Sequence, residues 1–386
     1  MAAKSMLTPE KVKQVALLLC QGKTQLQIHE RFGFSQPTVS RAKRMAVKAR
    51  HLIERFDCTF NTDEIEQLEY QIHSPQLLEQ LRLLQPENAR NLRRLRILHA
   101  GELRPSAKEA QIAAYRERFG QLVAEHLLDS VFPHVASVGV TWGGTLLAVV
   151  RGIADAKRPR PGTNIEFLPV CGAPPDAIEA AFRSSSNLVA SLDATINGAA
   201  RNPNNFTGVS AAVSSQFTTA QRRVVEKYFQ QNKGYGRVFG VGKKGGRIDE
   251  MEAVMTSVGT ANPDDPWIAG GAEAAGIKPE LLSRCILGNI GGWFLPRPGI
   301  EKKHANIVDR VNARWTGIRL EHYLACNNRA QQRQCGGTIL ISFGNKAEVV
   351  LECLRRGLVT ELLIDTELAK GLGQAIGFEP GDKEEK

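Results

Sequence analysis

Residues 24–46 read TQLQIHERFGFSQPTVSRAKRMA, and their spacing predicts two short helices joined by a tight turn. Thr24 and Gln27 form a capping box, in which each side chain satisfies a backbone N–H that the helix itself leaves unpaired. The helix this box opens carries Ile28 and Phe32 one turn apart, on its inner face. Gly33 permits the turn, Ser35 is expected to cap the next helix, and Pro37 suits its first turn. Val39 is expected to point inward, between the helices. Gln36, Thr38, Ser40, Arg41, Lys43 and Arg44 then stand on the remaining faces, with Lys48 and Arg50 beyond.

A short helix bracing another whose N-terminal residues are polar is the geometry that enters the major groove of DNA. Arg and Gln suit guanine and adenine edges, while Thr and Ser suit phosphates or thymine methyls. Gln36, Thr38 and Arg41 are expected to meet bases. Lys43, Arg44 and Lys48 are expected to meet mostly phosphates, and Ser40 joins them on the same helix. For any one of these residues the plain alternative is a solvated helix face. Upstream, Thr8, Pro9 and Glu10 mark another helix start, and Val12, Val15, Ala16 and Leu19 recur at helical spacing up to Gly22.

Charge supports this reading. The chain of 386 residues has a formal net charge of +10, unevenly spread. Residues 1–60 hold eleven Lys/Arg and four Asp/Glu, a net of +7, and the remainder is nearly neutral at +3. A short basic head on a neutral body fits a polyanion partner, here double-stranded DNA. Length allows two or three domains. Hydrophobic content of 42% and charged content of 23% mark a globular chain. The first seven residues lack the apolar run of a signal peptide, and no apolar run is long enough to span a bilayer, so no membrane is expected. Seven scattered cysteines without a C-x-x-C imply free thiols in a reducing cytoplasm. Cys326, Cys335 and His322 fit no zinc spacing, and no metal site is expected.

Residues 61–92 are helical in pattern, with an intermittent apolar stripe of Ile65, Leu68, Ile72, Leu77, Leu78, Leu81 and Leu84. They read as a linker, with dimerisation as the first role and plain packing as the alternative. Beyond them the pattern alternates. Strands are expected at 92–99, 135–140, 165–170, 252–258, 338–343 and 361–364, and helices at 106–132, after 144, at 187–196 and at 346–356. Alternation of this kind means a parallel α/β sheet, whose ligands bind outside the carboxyl ends of the strands. The expected organisation is therefore 1–60 as an all-α helix-turn-helix domain, 61–92 as the linker, and 93–386 as a parallel-sheet α/β effector domain.

Four features fall at those strand ends. Thr141, Trp142, Gly143, Gly144 and Thr145 form a glycine turn before a helix, where exposed N–H groups can hold an anion or a hydroxyl-rich ligand. Cys171 and Gly172, the stretch from Gly259 to Asp264 and Asp265, and Lys346 after Gly344 are the others. Lys346 can neutralise a phosphate or bond sugar hydroxyls; a solvated lysine is the alternative. Asp264 and Asp265 can grip hydroxyls, act as acid and base, or simply form a turn. Asn187 opens a helix and can face the same crevice, or serve only as its cap. GVGKKG at 240–245 matches G-x-G-x-x-G but lacks the long helix a dinucleotide site needs, and Lys243-Lys244 departs from a P-loop. It reads as a mobile basic loop, and no cofactor is expected.

The segment 24–46, and PTVSR at 37–41 above all, resembles the helix-turn-helix of the SorC/DeoR-type sugar-binding transcriptional regulators. The order of VGVTWGGTL (138–146), FLPVCGAP (167–174), SSNLVASL (185–192), TSVGTANPDD (256–265), ILGNIGGWFL (286–295) and the stretch 344–372 extends that resemblance through the body. It implies an effector domain like the sugar-phosphate isomerase and CoA-transferase folds, a sugar or sugar-phosphate ligand, and dimers or tetramers. Departures are His29 under the recognition helix, Asn289 where an Asp is expected, Gly344-Asn345 in place of Gly-Gly, and a long segment at 200–247. Asn289 joins the expected effector contacts. The resulting expectation is a cytoplasmic regulator of transcription without catalysis. The rival is a sugar-phosphate isomerase or deaminase using Asp264 or Asp265, an enzyme that would not need the basic head.

Overall fold

Capping chemistry sets the N-terminal helices where the sequence places them. In the computed structural model, α1 (Pro9–Cys20) starts behind Thr8, α2 (Gln25–Phe32) behind Thr24, and α3 (Gln36–Lys48) behind Ser35. The structure describes residues 7–49, 51, 65, 68, 70–101, 107–156, 164–173, 183–198, 202–206, 209–241, 244–378 and 380. Among these, one compact unit runs to Pro75 and a second spans Gln76–Phe378.

The first unit packs Val12, Val15, Ala16, Leu18, Ile28, Val39, Ala42 and Ala46 into one core. Leu68 and Ile72 belong to that core as well. The expected linker is thus divided: its first part completes the head, and α4 (Ser74–Leu83) buries Leu77 and Leu81 completely. These four side chains are buried within the chain, while Ile65, Leu78 and Leu84 of the same stripe are half-buried.

In the second unit the described strands are β1 (Arg94–Leu98), β2 (Ser137–Val140), β3 (Glu166–Pro169), β4 (Ala253–Thr256), β5 (Val258–Thr260), β6 (Ile286–Ile290), β7 (Trp293–Pro296), β8 (Gly337–Ser342) and β9 (Glu361–Asp365). Six of them form a wholly parallel sheet in the order β1-β9-β8-β4-β2-β3. β5, β6 and β7 form a separate antiparallel sheet. The single strand expected at 252–258 is therefore two strands: the chain leaves the parallel sheet at Ser257 and pairs elsewhere. The long segment at 200–247 supplies two helices, Thr219–Gln231 and Lys233–Phe239. Within GVGKKG, Val241 and Lys244 are bridged to each other, and residues 242–243 lie outside the described residues.

Two helices on one face of the sheet, α5 (Glu109–Ser130) and α6 (Gly144–Asp155), enclose its core. Phe119, Val123 and Leu127 of α5 meet Leu146, Val149 and Ile153 of α6 over Val138, Val140, Ile339 and Ile341. The helices approach to backbone contact: a Cβ on Gly120 would lie 2.4 Å from the Ala148 carbonyl carbon, and one on Gly152 would lie 2.9 Å from Gln121 Cα.

Gly120→Ala should therefore push the two helices apart and destabilise the protein by about 1–3 kcal/mol in urea unfolding, as overpacking does. Gly144→Ala, whose nearest neighbour is the movable Arg116 side chain at 3.4 Å, is the control and should change stability by under ~0.5 kcal/mol. Equal stability of the two variants would show that no backbone contact is there.

Candidate DNA interface and ligand crevice

In the head, Thr24 and Gln27 bond reciprocally, Thr24 N–H to Gln27 Oε1 at 2.8 Å and Gln27 N–H to Thr24 Oγ1 at 3.2 Å. Gly33 takes the left-handed conformation with φ +63°. His29 reaches the Phe34 carbonyl through Nδ1, so this departure acts as a side-chain brace across the turn. Ser35 does not cap α3 with its side chain; its hydroxyl bonds the Thr38 hydroxyl at 2.8 Å instead. Val39, Ala42 and Ala46 face inward, which turns Gln36, Arg41, Arg44 and Lys48 to solvent. Thr38, Ser40 and Lys43 are half-buried. Four of the seven residues expected at DNA thus stand free on one helix surface. The Thr38 hydroxyl is engaged by Ser35.

In the second unit the expected ligand residues separate into two groups. Thr141 is wholly buried, its hydroxyl 3.4 Å from the Met255 carbonyl and 3.3 Å from Thr256 Oγ1. Trp142 is packed edge-on against Trp267 and Trp315, with ring centroids at 4.7 and 5.5 Å. The Cys171 thiol, whose pKa burial pushes up, donates to the Gly291 carbonyl at 3.4 Å. Gly172 lies against the Ser210 backbone, where a Cβ would approach to 2.6 Å. Asn289 is buried and accepts the Gly292 N–H at 3.2 Å, while a Cβ on Gly259 would meet its Nδ2 at 2.5 Å. Thr141 Oγ1, Cys171 Sγ and Asn289 Oδ1 are thus engaged within the protein at the strand ends. Asn187 is exposed as the third residue of helix Ser185–Leu192, with its N–H on Ser184 Oγ at 3.3 Å; Ser184, not Asn187, is the cap.

The remaining residues lie in the segments that follow β2, β5 and β8. Gly143, at φ +121°, occupies backbone space that only glycine enters without strain, and caps α6. The conformational demand falls on Gly143, since Gly144 has ordinary helical φ. Gly144 faces the Arg116 guanidinium, 3.4 Å from Nη1 to the Cβ it would carry, and Thr145 follows, buried in the first turn of α6. Lys346 stands at the N-terminus of helix Ala347–Arg355, half-buried, with Nζ 5.2 Å from the centre of the Phe343 ring. Burial lowers its pKa to about 8; Arg116 adds to this, and Asp365 and Asp265 oppose it. Asp265 caps helix Pro266–Ala274 by accepting the Trp267 N–H at 2.8 Å, whereas Asp264 is exposed.

Arg116, Tyr115 and Asp365 escaped sequence reasoning. Asp365 is fully buried and accepts from the Tyr115 hydroxyl at 2.8 Å, Gly344 N–H at 3.1 Å and Leu368 N–H at 2.9 Å. Burial raises its pKa despite these bonds. Its position at the end of the LLID strand was the one available signal; Tyr115 and Arg116 sit inside an amphipathic helix that offered none. Among the described residues no group of three or more His, Cys, Asp or Glu is placed to hold a metal ion, and no helix is long and apolar enough to cross a membrane. Cys326 is buried, and Cys335 donates to the His134 carbonyl.

A helix-turn-helix unit followed by a parallel α/β unit defines the class: a two-unit protein with an all-α head and an α/β body. By sequence the chain matches no protein-family profile and no curated protein. By structure it is similar to the full-length sorbitol operon regulator SorC from Klebsiella pneumoniae, at 18% identity and a TM-score of 0.51, over 94% of this chain and 97% of that one. It is also similar to a DeoR family transcriptional regulator from Listeria monocytogenes (16% identity, TM-score 0.51, 77% and 98% covered) and to a transcriptional regulator from Streptococcus pneumoniae (17%, 0.52, 79% and 99%). The chain therefore has the fold of the SorC/DeoR regulators.

Arg41→Ala should weaken binding to a specific operator by about 1–3 kcal/mol if Arg41 reads a base edge. Lys48→Ala should weaken specific and non-specific duplexes alike and lower the salt dependence by about one charge. Gel-shift titrations over a range of salt check both; equal loss on all duplexes for Arg41→Ala would remove it from the base-reading set.

Proposed function

We propose that the protein is a DNA-binding transcriptional regulator whose operator binding is set by a sugar or sugar-phosphate effector, and that it is not an enzyme. The observation that carries this reading is the conjunction of a fully formed helix-turn-helix, four of its polar residues exposed on α3, with Arg116 beside the helix that follows β2 and Lys346 in the loop that follows β8 of a parallel sheet. The relatives of the same fold are regulators, among them a sorbitol operon regulator. Asp264 and Asp265 offer little to an isomerase or deaminase: one is exposed, and the other is occupied as a helix cap. Gly143, Gly144, Thr145 and Lys346 are the effector contacts this reading favours, with Asp265 at their rim. A helix-turn-helix reads few base pairs, and two-fold operators need two heads about one helical turn apart, so the working form is a homodimer or homotetramer. Sedimentation of the full chain with and without operator tests this, and a monomer in both conditions would refute it.

An effector held by the Lys346 ammonium needs its charged form. That pKa stands at about 8 in the free protein, and an anionic or acceptor ligand raises it. Below pH 8 the lysine is charged before and after binding, and affinity is level. Above pH 8 binding must take up a proton, so affinity should fall by up to ~tenfold per pH unit. Effector-induced operator release, followed from about pH 7 to 9.5 over a panel of sugars and sugar phosphates, checks this. Lys346→Gln should weaken the response and flatten the profile while leaving operator affinity unchanged. An unchanged response in Lys346→Gln would remove the crevice from the effector site.

A further inference from the structure

The end of the long segment at 200–247 and the residues just after it enclose a cavity of about 600 Å³, which none of the expected ligand residues lines. Its walls come from the end of helix Thr219–Gln231, from helix Lys233–Phe239, and from residues 240–241 and 244–250. It lies at the amino ends of the parallel strands. Arg247 reaches Glu166, the first residue of β3, and residues 247–250 lead into β4. Gly143, Lys346 and their neighbours follow the strands and so stand at the opposite, carboxyl ends. Backbone contacts fix the cavity wall. Gly240 has φ +82°, and a Cβ there would meet the Lys244 carbonyl oxygen at 2.2 Å. One on Gly246 would meet the Val238 carbonyl oxygen at 2.1 Å. These glycines let the chain cross itself at backbone distance, and the Gly246 N–H on Asp249 Oδ2 at 3.0 Å holds the crossing. A cavity of this size with preformed walls falls in the range of small-molecule sites, about 300–1,000 Å³.

Four cations line this cavity, Lys233, Arg237, Lys244 and Arg247, against one carboxylate, Glu250. Arg247 is spent on Glu250 and on Glu166, with Nε 3.0 Å from Glu166 Oε2. Arg237 reaches the same Glu166 only at 3.7 Å. Lys233 and Lys244 have no ion pair among the described residues. The lining therefore holds positive charge that the protein does not neutralise. None of the described residues that line it is aromatic, so a nucleobase finds no stacking face. A concave wall also suits a small molecule better than a duplex, which is read by elements that project into its grooves. We propose that this cavity is a second ligand site, separate from the carboxyl ends of the strands, for a small non-aromatic anion of two or more negative charges. Phosphate esters and polycarboxylates share that chemistry. Lys233, Lys244 and Arg237 supply the attraction, and the Gln230 side chain adds neutral amide donors. A monoanion leaves most of this charge uncompensated.

The test is calorimetric titration of the full chain, with pyrophosphate and citrate as the multiply charged probes and acetate as the monoanion. All titrations use the Lys346→Gln protein, so that the carboxyl ends of the strands add no contact through that lysine. In this background the tighter of the two probes should saturate below roughly 1 mM, and acetate should bind at least about tenfold more weakly. Adding Lys233→Gln and Lys244→Gln together should weaken that probe by about tenfold or more. Lys227→Gln removes one charge from an exposed position on helix Thr219–Gln231 outside the cavity, and should change affinity by less than about twofold. The substituted lysines are exposed, and equal melting temperatures confirm that the variants fold. Tighter pyrophosphate identifies the ligand as a phosphate ester, and tighter citrate identifies it as a polycarboxylate. No saturable binding up to roughly 10 mM, or a loss below about threefold in the double variant, overturns the proposal. An equal loss in Lys227→Gln and in Lys244→Gln alone reveals diffuse surface charge and overturns it too. So does a double variant that loses affinity for duplex DNA while keeping its affinity for the probe. Each of these outcomes leaves the regulator reading intact, since neither the head nor Lys346 enters the comparison.

Discussion

The contact on which the crevice depends is the crossing of α5 and α6 at Gly120 and Ala148. Gly120 has no side chain there, so the helices lie at a separation set by its backbone against the backbone and methyl of Ala148. One turn back along each helix from that contact stand Arg116 and Gly144, which face each other for the same reason. Gln121 against Gly152 fixes the register from the other side. Both helices are crossovers between strands of one parallel sheet, and such connections place them side by side and pointing alike. A cation is thus delivered to a helix N-terminus by two glycines and an alanine in the core, none of which touches a ligand.

The head was legible because its signals are local. A capping box, a left-handed glycine and apolar residues at i, i+3 and i+7 are decided within a few residues of each other. The structure repeats them at Thr24–Gln27, Gly33 and Val39–Ala42–Ala46. The failure at Ser35 is equally local: the Thr38 hydroxyl competes successfully for the bond that the helix end was expected to receive. The parallel sheet was legible too, since strands buried on both faces read as continuous apolar runs.

What the sequence concealed depends on long-range pairing. β5 and β4 form one apolar run, and nothing between them announces that Ser257 separates two sheets. ILGNIGGWFL reads as a motif, yet its glycines are a turn between β6 and β7, with Gly291 against Thr141, Thr256 and Tyr323 and Gly292 against Trp315. Thr141, Trp142, Cys171 and Asn289 were expected at a ligand because they sit at strand ends. At the same position Thr141 Oγ1, Cys171 Sγ and Asn289 Oδ1 make hydrogen bonds within the protein, and the Trp142 ring packs against Trp267 and Trp315. Arg116 and Asp365 carry the opposite lesson, since a charge inside an amphipathic helix or strand end has no meaning until the tertiary contact supplies one.

Asp365 is a buried carboxylate near Lys346 that does not pair with it. A buried carboxylate beside a lysine would ordinarily close on it as an ion pair, and the positive charge would be spent within the protein. Here Tyr115 Oη–H, Gly344 N–H and Leu368 N–H point at both carboxylate oxygens and hold them in the plane that caps helix Thr366–Ile376. Turning toward Lys346 would leave three buried donors without an acceptor, each worth about 1–3 kcal/mol of desolvation, more than a partly exposed ion pair returns. The carboxylate therefore acts on Lys346 through space while its lone pairs remain with the backbone. Tyr115 and Arg116 are adjacent on α5, so one residue restrains the acid while the next brings the second cation. The backbone crossing at Gly120 places both.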